Sequence, residues 1–206
     1  MKPNEKFGRL ADDETINLAV AALKANGIEA TVAENSQEAK QKVFEIIPEG
    51  AEVMNMSSVT LDTTGIAKEI VESGRYNSVR NQLTKMDRQT QNLEMQKLGA
   101  GPDWAVGSVH AITQDGKVLI ASNTGSQLPA YAYGSAHVVW VVGAQKVVKN
   151  LEEGMQRIYE YSLPLENERA KKAYGMESNV SKILILNKEI SPGRVSMVIV
   201  KEKLGF

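Results

Sequence analysis

The sequence predicts an α/β fold: a mostly parallel central sheet with helices on both faces, plus one hairpin. Three observations predict it. Amphipathic helical segments alternate with short apolar segments from residue 12 onward in the order αβαβα, the pattern of strands joined by helical crossovers. An Asp115-Gly116 pair lies between two apolar segments, and Asp-Gly accepts the positive φ angles that a tight antiparallel turn needs. Residues 137–143 are apolar at both odd and even positions, as suits a strand covered on both faces.

The elements follow in order. Ile16, Ala19, Val20 and Leu23 recur at helical spacing behind an Asp12 N-cap, and Asn26-Gly27 stops this helix. Residues 28–33 form a short strand. Ser36 opens a second helix on Ala39, Val43, Ile46 and Ile47, which Pro48 ends. A second strand, 51–56, leads to a helix over 60–73 that carries Ile66, Ile70 and Val71 and stops at Gly74. Residues 76–101 are polar, with Val79, Leu83, Met86 and Leu93 at mostly helical intervals, and are assigned to helix. Residues 104–113, rich in small and β-branched types, and 118–121 are the hairpin arms around a turn at 114–117. After the strand at 137–143, a helix carries Val148, Leu151, Met155, Ile158 and Tyr159. A further short helix has Pro164 in its first turn and ends near Gly175. Residues 183–186 and 195–200 complete the same sheet. No repeat, low-complexity tract or linker divides the chain. Residues 1–206 are therefore expected to form one domain, with 1–10 as a loose N-terminal extension.

Composition excludes several functions. The 206 residues carry 24 Lys+Arg against 25 Asp+Glu, with 42% hydrophobic residues and no cysteine. That apolar share supports a packed core. A net charge of −1 without a basic stripe argues against nucleic-acid binding. No apolar run approaches the roughly 20 residues that span a bilayer. The polar start from Met1 to Lys6, followed by no apolar core, predicts a cytoplasmic protein without a secretory signal. A chain without cysteine offers no disulfide, thiolate zinc, iron–sulfur ligand or Cys nucleophile, and two histidines leave little for an imidazole metal site. Neither a metal nor a cofactor is expected in this chain.

Two loops and a few charged residues remain as candidates. Ser122-Asn123-Thr124-Gly125-Ser126-Gln127 follows a strand and surrounds one glycine with polar side chains. That is the composition of a loop facing an anion beyond a strand end, or of an ordinary polar loop. Asn55-Met56-Ser57-Ser58-Val59-Thr60 has a similar strand-to-helix placement, where Ser57 or Ser58 either caps the helix or meets a ligand at its N-terminus. His110 is the catalytic candidate, because an imidazole with an ordinary pKa of about 6.5 exchanges protons at neutral pH. The alternative is a partly buried histidine. Lys146, just past a strand end, either presents a cation to a ligand or is solvated. Arg169 and Arg194 have neighbouring carboxylates as alternative partners. Trp140 is assigned to the core. The ligand-binding candidates are Asn55, Ser57, Ser58, Asn123, Thr124, Gly125, Ser126, Gln127 and Lys146.

The order of motifs carries a resemblance. It comprises Ser58-Val59-Thr60-Leu61 with Gly65, Val109-His110-Ala111-Ile112-Thr113-Gln114-Asp115-Gly116, Asn123-Thr124-Gly125, and Val141-Val142-Gly143-Ala144-Gln145-Lys146-Val147-Val148. Arg157, Pro164-Leu165-Glu166-Asn167-Glu168-Arg169, Gly193-Arg194 and Leu204-Gly205-Phe206 follow. Together, from about residue 10 onward, they resemble the lactate-utilisation (LUD) domain family. The resemblance implies the three-layer fold of ribose-5-phosphate isomerase, glucosamine-6-phosphate deaminase and the CoA transferases. It also implies a link to conversion of L-lactate to pyruvate, in systems whose partner proteins carry iron–sulfur clusters.

The chain departs from the family pattern at His110, where Asn is frequent, at Gly125-Ser126-Gln127, where Gly-Asn-Arg is common, and at Gln145, where Asn is usual. It also lacks a cysteine-rich stretch that many members carry after the Arg169 region. CoA transferases of this fold use a glutamate nucleophile where this chain offers Asn123, whose amide cannot form an acyl anhydride. The function implied is binding of a small organic-acid, phosphorylated or acyl anion. The alternatives are an assembly or regulatory subunit of an iron–sulfur oxidoreductase system, and an isomerase, hydrolase or CoA-transferase-like enzyme. Expected partners are the anion, oxidoreductase subunits and further copies of the chain, with neither nucleic acid nor membrane.

Overall fold

Parallel pairing joins six strands into the central sheet of the computed structural model, which describes residues 2–206. Their order is β1 (Glu29–Ala33), β10 (Val195–Val200), β7 (His137–Gly143), β4 (Trp104–Gly107), β2 (Glu52–Asn55) and β3 (Asn77–Ser78). A smaller sheet has the order β8 (Val147–Val148), β5 (Ala111–Thr113), β6 (Val118–Ser122) and β9 (Lys182–Leu186). The expected α/β architecture with a parallel centre and a hairpin holds. β5 and β6 pair antiparallel, with Ala111 opposite Leu119 and Ile112 opposite Val118.

Side-chain alternation sets the layers. One face of the central sheet presents Val53, Val106, Val139, Val141, Val198 and Val200 to the helices α2 (Ser36–Ile46), α3 (Val59–Thr63) and α4 (Ile66–Glu72). The other presents Met54, Ala105, Val138, Trp140, Val142, Met197 and Ile199 to α1 (Asp13–Ala25) and to Ile112, Val118 and Ile120 of the small sheet. The alternate residues of that small sheet, Ala111, Leu119 and Ala121, face outward to Ile158 and Tyr161, below α7 (Leu151–Arg157). Local signals act as expected at the first helix: the Asp12 side chain accepts the Thr15 N–H at 2.8 Å, capping α1.

Several elements differ from expectation. The 104–113 segment is two strands in two sheets. β4 ends at Gly107, where the Tyr131 hydroxyl packs over the backbone, and the chain crosses to the small sheet, where the His110 N–H bonds to the Leu119 carbonyl at 2.9 Å. β9 joins the small sheet through β6, because β10 occupies the central place beside β7. The expected 60–73 helix is broken at Gly65, whose φ is +70°. The polar 76–101 region holds only α5 (Val79–Leu83) and α6 (Asn92–Ala100). Between them Asp87 accepts bonds from the Gln89 N–H and the Thr90 hydroxyl, a local turn that competes with helix.

The helices on either side of residue 160 are continuous. α7 passes through a π-helical turn, Ile158–Ser162, into α8 (Leu163–Tyr174), and Gly175 at φ +72° ends it. Pro164 has no N–H for the Glu160 carbonyl four residues earlier, and that carbonyl accepts the Asn4 N–H at 2.8 Å instead. Residues 4–8 are thus docked rather than loose: Glu5–Gly8 is a short 3-10 turn and Phe7 is 5% exposed against the small-sheet cluster. Among the described residues, no helix is long and apolar enough to cross a membrane.

Candidate functional site

The chain passes from the central to the small sheet twice within the candidate region. Ser108-Val109-His110 joins β4 to β5, and Ala144-Gln145-Lys146 joins β7 to β8. Both crossings lie beyond the carboxyl ends of parallel strands, where open α/β sheets place ligands. Arg157 of α7 fastens them together. Its Nε donates to the Gln145 carbonyl at 3.3 Å, and its Nη1 donates to the His110 carbonyl and to Ser162 Oγ, the latter at 3.0 Å. The π turn makes the last bond available, since residues five apart are aligned there.

Lys146 lies inside the same seam. Its Nζ donates to Ser108 Oγ and the Val109 carbonyl, both at 3.1 Å, and to Thr60 Oγ1 at 3.4 Å. Lys146 is 2% exposed and Arg157 0%. Among the described residues no carboxylate lies within ion-pair distance of either, and Arg157 Nη2 is buried without a hydrogen-bond partner. Burial, followed by repulsion from Arg157, holds the Lys146 amine well below the usual lysine range. Burial likewise pushes Arg157 down to about 9.

His110 stands in the crossing, not inside a strand. Its Nδ1 accepts the Ala121 N–H at 3.1 Å, so in the neutral ring the proton resides on Nε2. Burial first, then the Lys146 and Arg157 cations, push its pKa down to about 3. The pKa is thus shifted away from the ordinary imidazole value behind the acid–base expectation, toward a ring that is neutral at neutral pH. His137 is elsewhere, stacked on Trp104 with centroids 4.1 Å apart at the opposite end of the central sheet.

Asn55, Ser57 and Ser58 border the seam. Asn55 is buried with Oδ1 unpartnered, and its carbonyl accepts from Arg80 Nη2 at 2.6 Å. Arg80 also reaches Ser57 Oγ at 3.3 Å. Ser58 caps α3 by a long 3.5 Å bond from the Leu61 N–H, and Thr60 in that helix contacts Lys146. The polar loop after β6 adjoins His110 through Ala121, whose N–H serves the imidazole and whose carbonyl accepts from Gln127 Nε2 at 3.2 Å. Most of its polar groups bond one another. Ser122 Oγ bonds Gln127 Oε1 and the Gly125 N–H, Thr124 bonds Ser126, and Asn123 Oδ1 accepts from Ser181. Gly125, at φ +87°, packs against the Lys182 stem.

The LUD domain family matches residues 16–201. The chain belongs to the LUD domain family. Its fold is similar to a crystal structure of a DUF162 family protein from Deinococcus radiodurans at 1.70 Å resolution, with a TM-score of 0.58 and 10% identity, covering 93% of this chain and 99% of that chain. Identity that low shows a shared fold alone. No curated protein matches.

Of the sequence candidates in this LUD domain, the structure brings Lys146 and His110 together, with Ser57, Ser58 and Asn55 along one side and the 123–127 loop along another. Thr60, Ser108, Arg80 and Arg157 were not among those candidates. Arg157 belonged to the motif pattern, but a single arginine in an amphipathic helix gives no sign that it is buried. Arg169 pairs with Glu166 through two 2.7 Å bonds. Arg194 pairs with Glu189 and holds the carbonyls of Ala130, Tyr131 and Ser135. A shallow groove of about 410 Å³ lies on α2 and α4, lined by Lys40, Phe44, Glu69 and Arg75, away from the seam. Its cations already have carboxylate partners. Among the described residues, no three His, Asp or Glu side chains converge as metal ligands.

Proposed function

We propose that this LUD domain binds a small organic-acid, phosphorylated or acyl anion in the seam between its sheets, within lactate-to-pyruvate metabolism in the cytoplasm. One observation carries the reading: Lys146 and Arg157 are buried side by side without a counter-ion. Removing a cation from water costs several kcal/mol unless an opposite charge compensates it, and an anionic ligand supplies that charge. Arg157 Nη2, the His110 Nε2–H, and the Ser57 and Ser108 hydroxyls offer further polar contacts. His110 acts in this reading as a fixed hydrogen-bond donor to ligand oxygen, not as a base at neutral pH. Family membership fits the metabolic link. The cysteine-free sequence leaves any iron–sulfur electron transfer to a partner chain.

Thermal shift and calorimetry with L-lactate, pyruvate, inorganic phosphate and acetyl-CoA test the reading. At about 10 mM ligand, a dissociation constant of about 1 mM stabilises the fold by ~1.4 kcal/mol, a shift of roughly 3–5 °C for a chain of this size. Lys146→Met should abolish that shift. Lys146→Met strands the Val109 carbonyl while relief of the buried charge offsets part of that loss, so this variant should remain folded with a stability ~1–2 kcal/mol below the parent. No shift with any of the four ligands overturns the proposal.

A further inference from the structure

A third segment crosses the seam. Beyond β10 the chain runs over the carboxyl end of the central sheet as Leu204-Gly205-Phe206. Leu204, 3% exposed, is anchored in the α2 to α4 layer, and Phe206 packs on the small-sheet cluster. Between these anchors two side chains hold the backbone, with no strand ladder. Gln145 Nε2 donates to the carbonyls of Leu204 at 2.9 Å and Gly205 at 3.2 Å, while its Oε1 accepts the Leu204 N–H at 3.3 Å. Thr60 Oγ1 donates to the Leu204 carbonyl at 3.2 Å and accepts from Lys146 Nζ. Gly205 is at φ +58°, and a Cβ there would stand 2.6 Å from Thr60 Oγ1 and 3.6 Å from Lys146 Nζ. Gly205, at a conformation that suits glycine, thus lies beside the Thr60–Lys146 contact with no room for a side chain.

We propose that Leu204–Phe206 is a latch over the Lys146 amine, fastened by the Gln145 carboxamide, and that a ligand reaches the amine only when Gln145 releases the Leu204 N–H and carbonyl and Gly205 and Phe206 swing aside. Three features converge on this. The segment seals a cation that has no counter-ion, its hold is concentrated in one amide and one hydroxyl, and a glycine lies between a deep anchor and a half-buried one. The latch is meaningful only if the seam is an anion site, so it rests on the function proposed above. Its test, however, contains no anion and reads the latch separately.

The full chain is pulse-labelled with an amine acetylating reagent and its lysines are followed by peptide mass spectrometry. Lys68, whose side chain is 76% exposed, serves as the internal reference. Gln145→Met removes the fastening bonds at similar side-chain length, and Gly205→Ala forces the backbone off Thr60. Relative to Lys68, Lys146 should be acetylated at least about tenfold faster in Gln145→Met, and in Gly205→Ala where that variant folds. In the unsubstituted chain the Leu204 amide should exchange with deuterium through local opening, at a rate unmoved by sub-denaturing urea. Labelling of Lys146 that stays at the parent level in Gln145→Met overturns the latch. Exchange of the Leu204 amide only through global unfolding, with the corresponding urea dependence, overturns it as well.

Discussion

Substituting His110 by Gln removes an imidazole that the fold holds neutral. In the native protein its pKa is pushed down to about 3 by burial and by the Lys146 and Arg157 cations, whereas in the unfolded chain it returns to about 6.5. Between those values the unfolded chain binds a proton that the native state excludes. Stability from this group is therefore complete above about pH 6.5 and declines as the pH falls toward 3. At about 1.36 kcal/mol per pKa unit, the native protein loses ~2 kcal/mol between about pH 7 and pH 5. Gln retains an acceptor for the Ala121 N–H but titrates nowhere in this range, so the variant lacks that slope. Urea denaturation of both proteins at several pH values across this interval measures the difference. The stability gap between parent and variant should move by ~2 kcal/mol in the variant's favour on going from about pH 7 to pH 5. A movement below ~0.5 kcal/mol would mean that the ring titrates much as a free imidazole does, and the account of His110 as a half-buried ring held neutral beside two cations would fail.

Two further substitutions examine the surroundings. Arg157→Met strands the carbonyls of Gln145 and His110 and the Ser162 hydroxyl. Relief of the buried charge offsets part of that loss, and a net destabilisation of ~2–3 kcal/mol is expected by urea titration; an unchanged midpoint would show that the arginine does not fasten the crossings. Phe7→Ala should cost ~3 kcal/mol if the N-terminal turn is docked as described, and next to nothing if residues 4–8 are detached in solution.

Periodicity made the alternation of helices and strands legible because it records burial on one side of each element. Ile16, Ala19 and Leu23 of α1 are buried as their spacing requires. It did not show which sheet a strand enters. Residues 104–113 stay small and apolar across the break at Gly107, since both halves are buried, and 183–186 has the same character as strands of the central sheet. Lys146 was visible as a cation after a strand end, but its burial and its closeness to Arg157 depend on a π turn and on contacts between distant segments. The 123–127 loop shows the opposite limit: its polar composition suggested ligand contacts, whereas the folded loop spends much of its hydrogen-bonding capacity on itself.

The fastening of both crossings by one guanidinium has a mechanical consequence. The sheets also pack through a shared apolar cluster and are tied again by Lys146 to Ser108 and Val109, but at the guanidinium the joint carries a charge whose enclosure opposes tight closure. A ligand that neutralises it would stiffen the joint and restrain both sheets at once. Slowed hydrogen exchange would then appear beyond the contact residues, in β4 and β7 on one side and in β5, β6 and β8 on the other, giving the binding event a footprint much larger than the ligand.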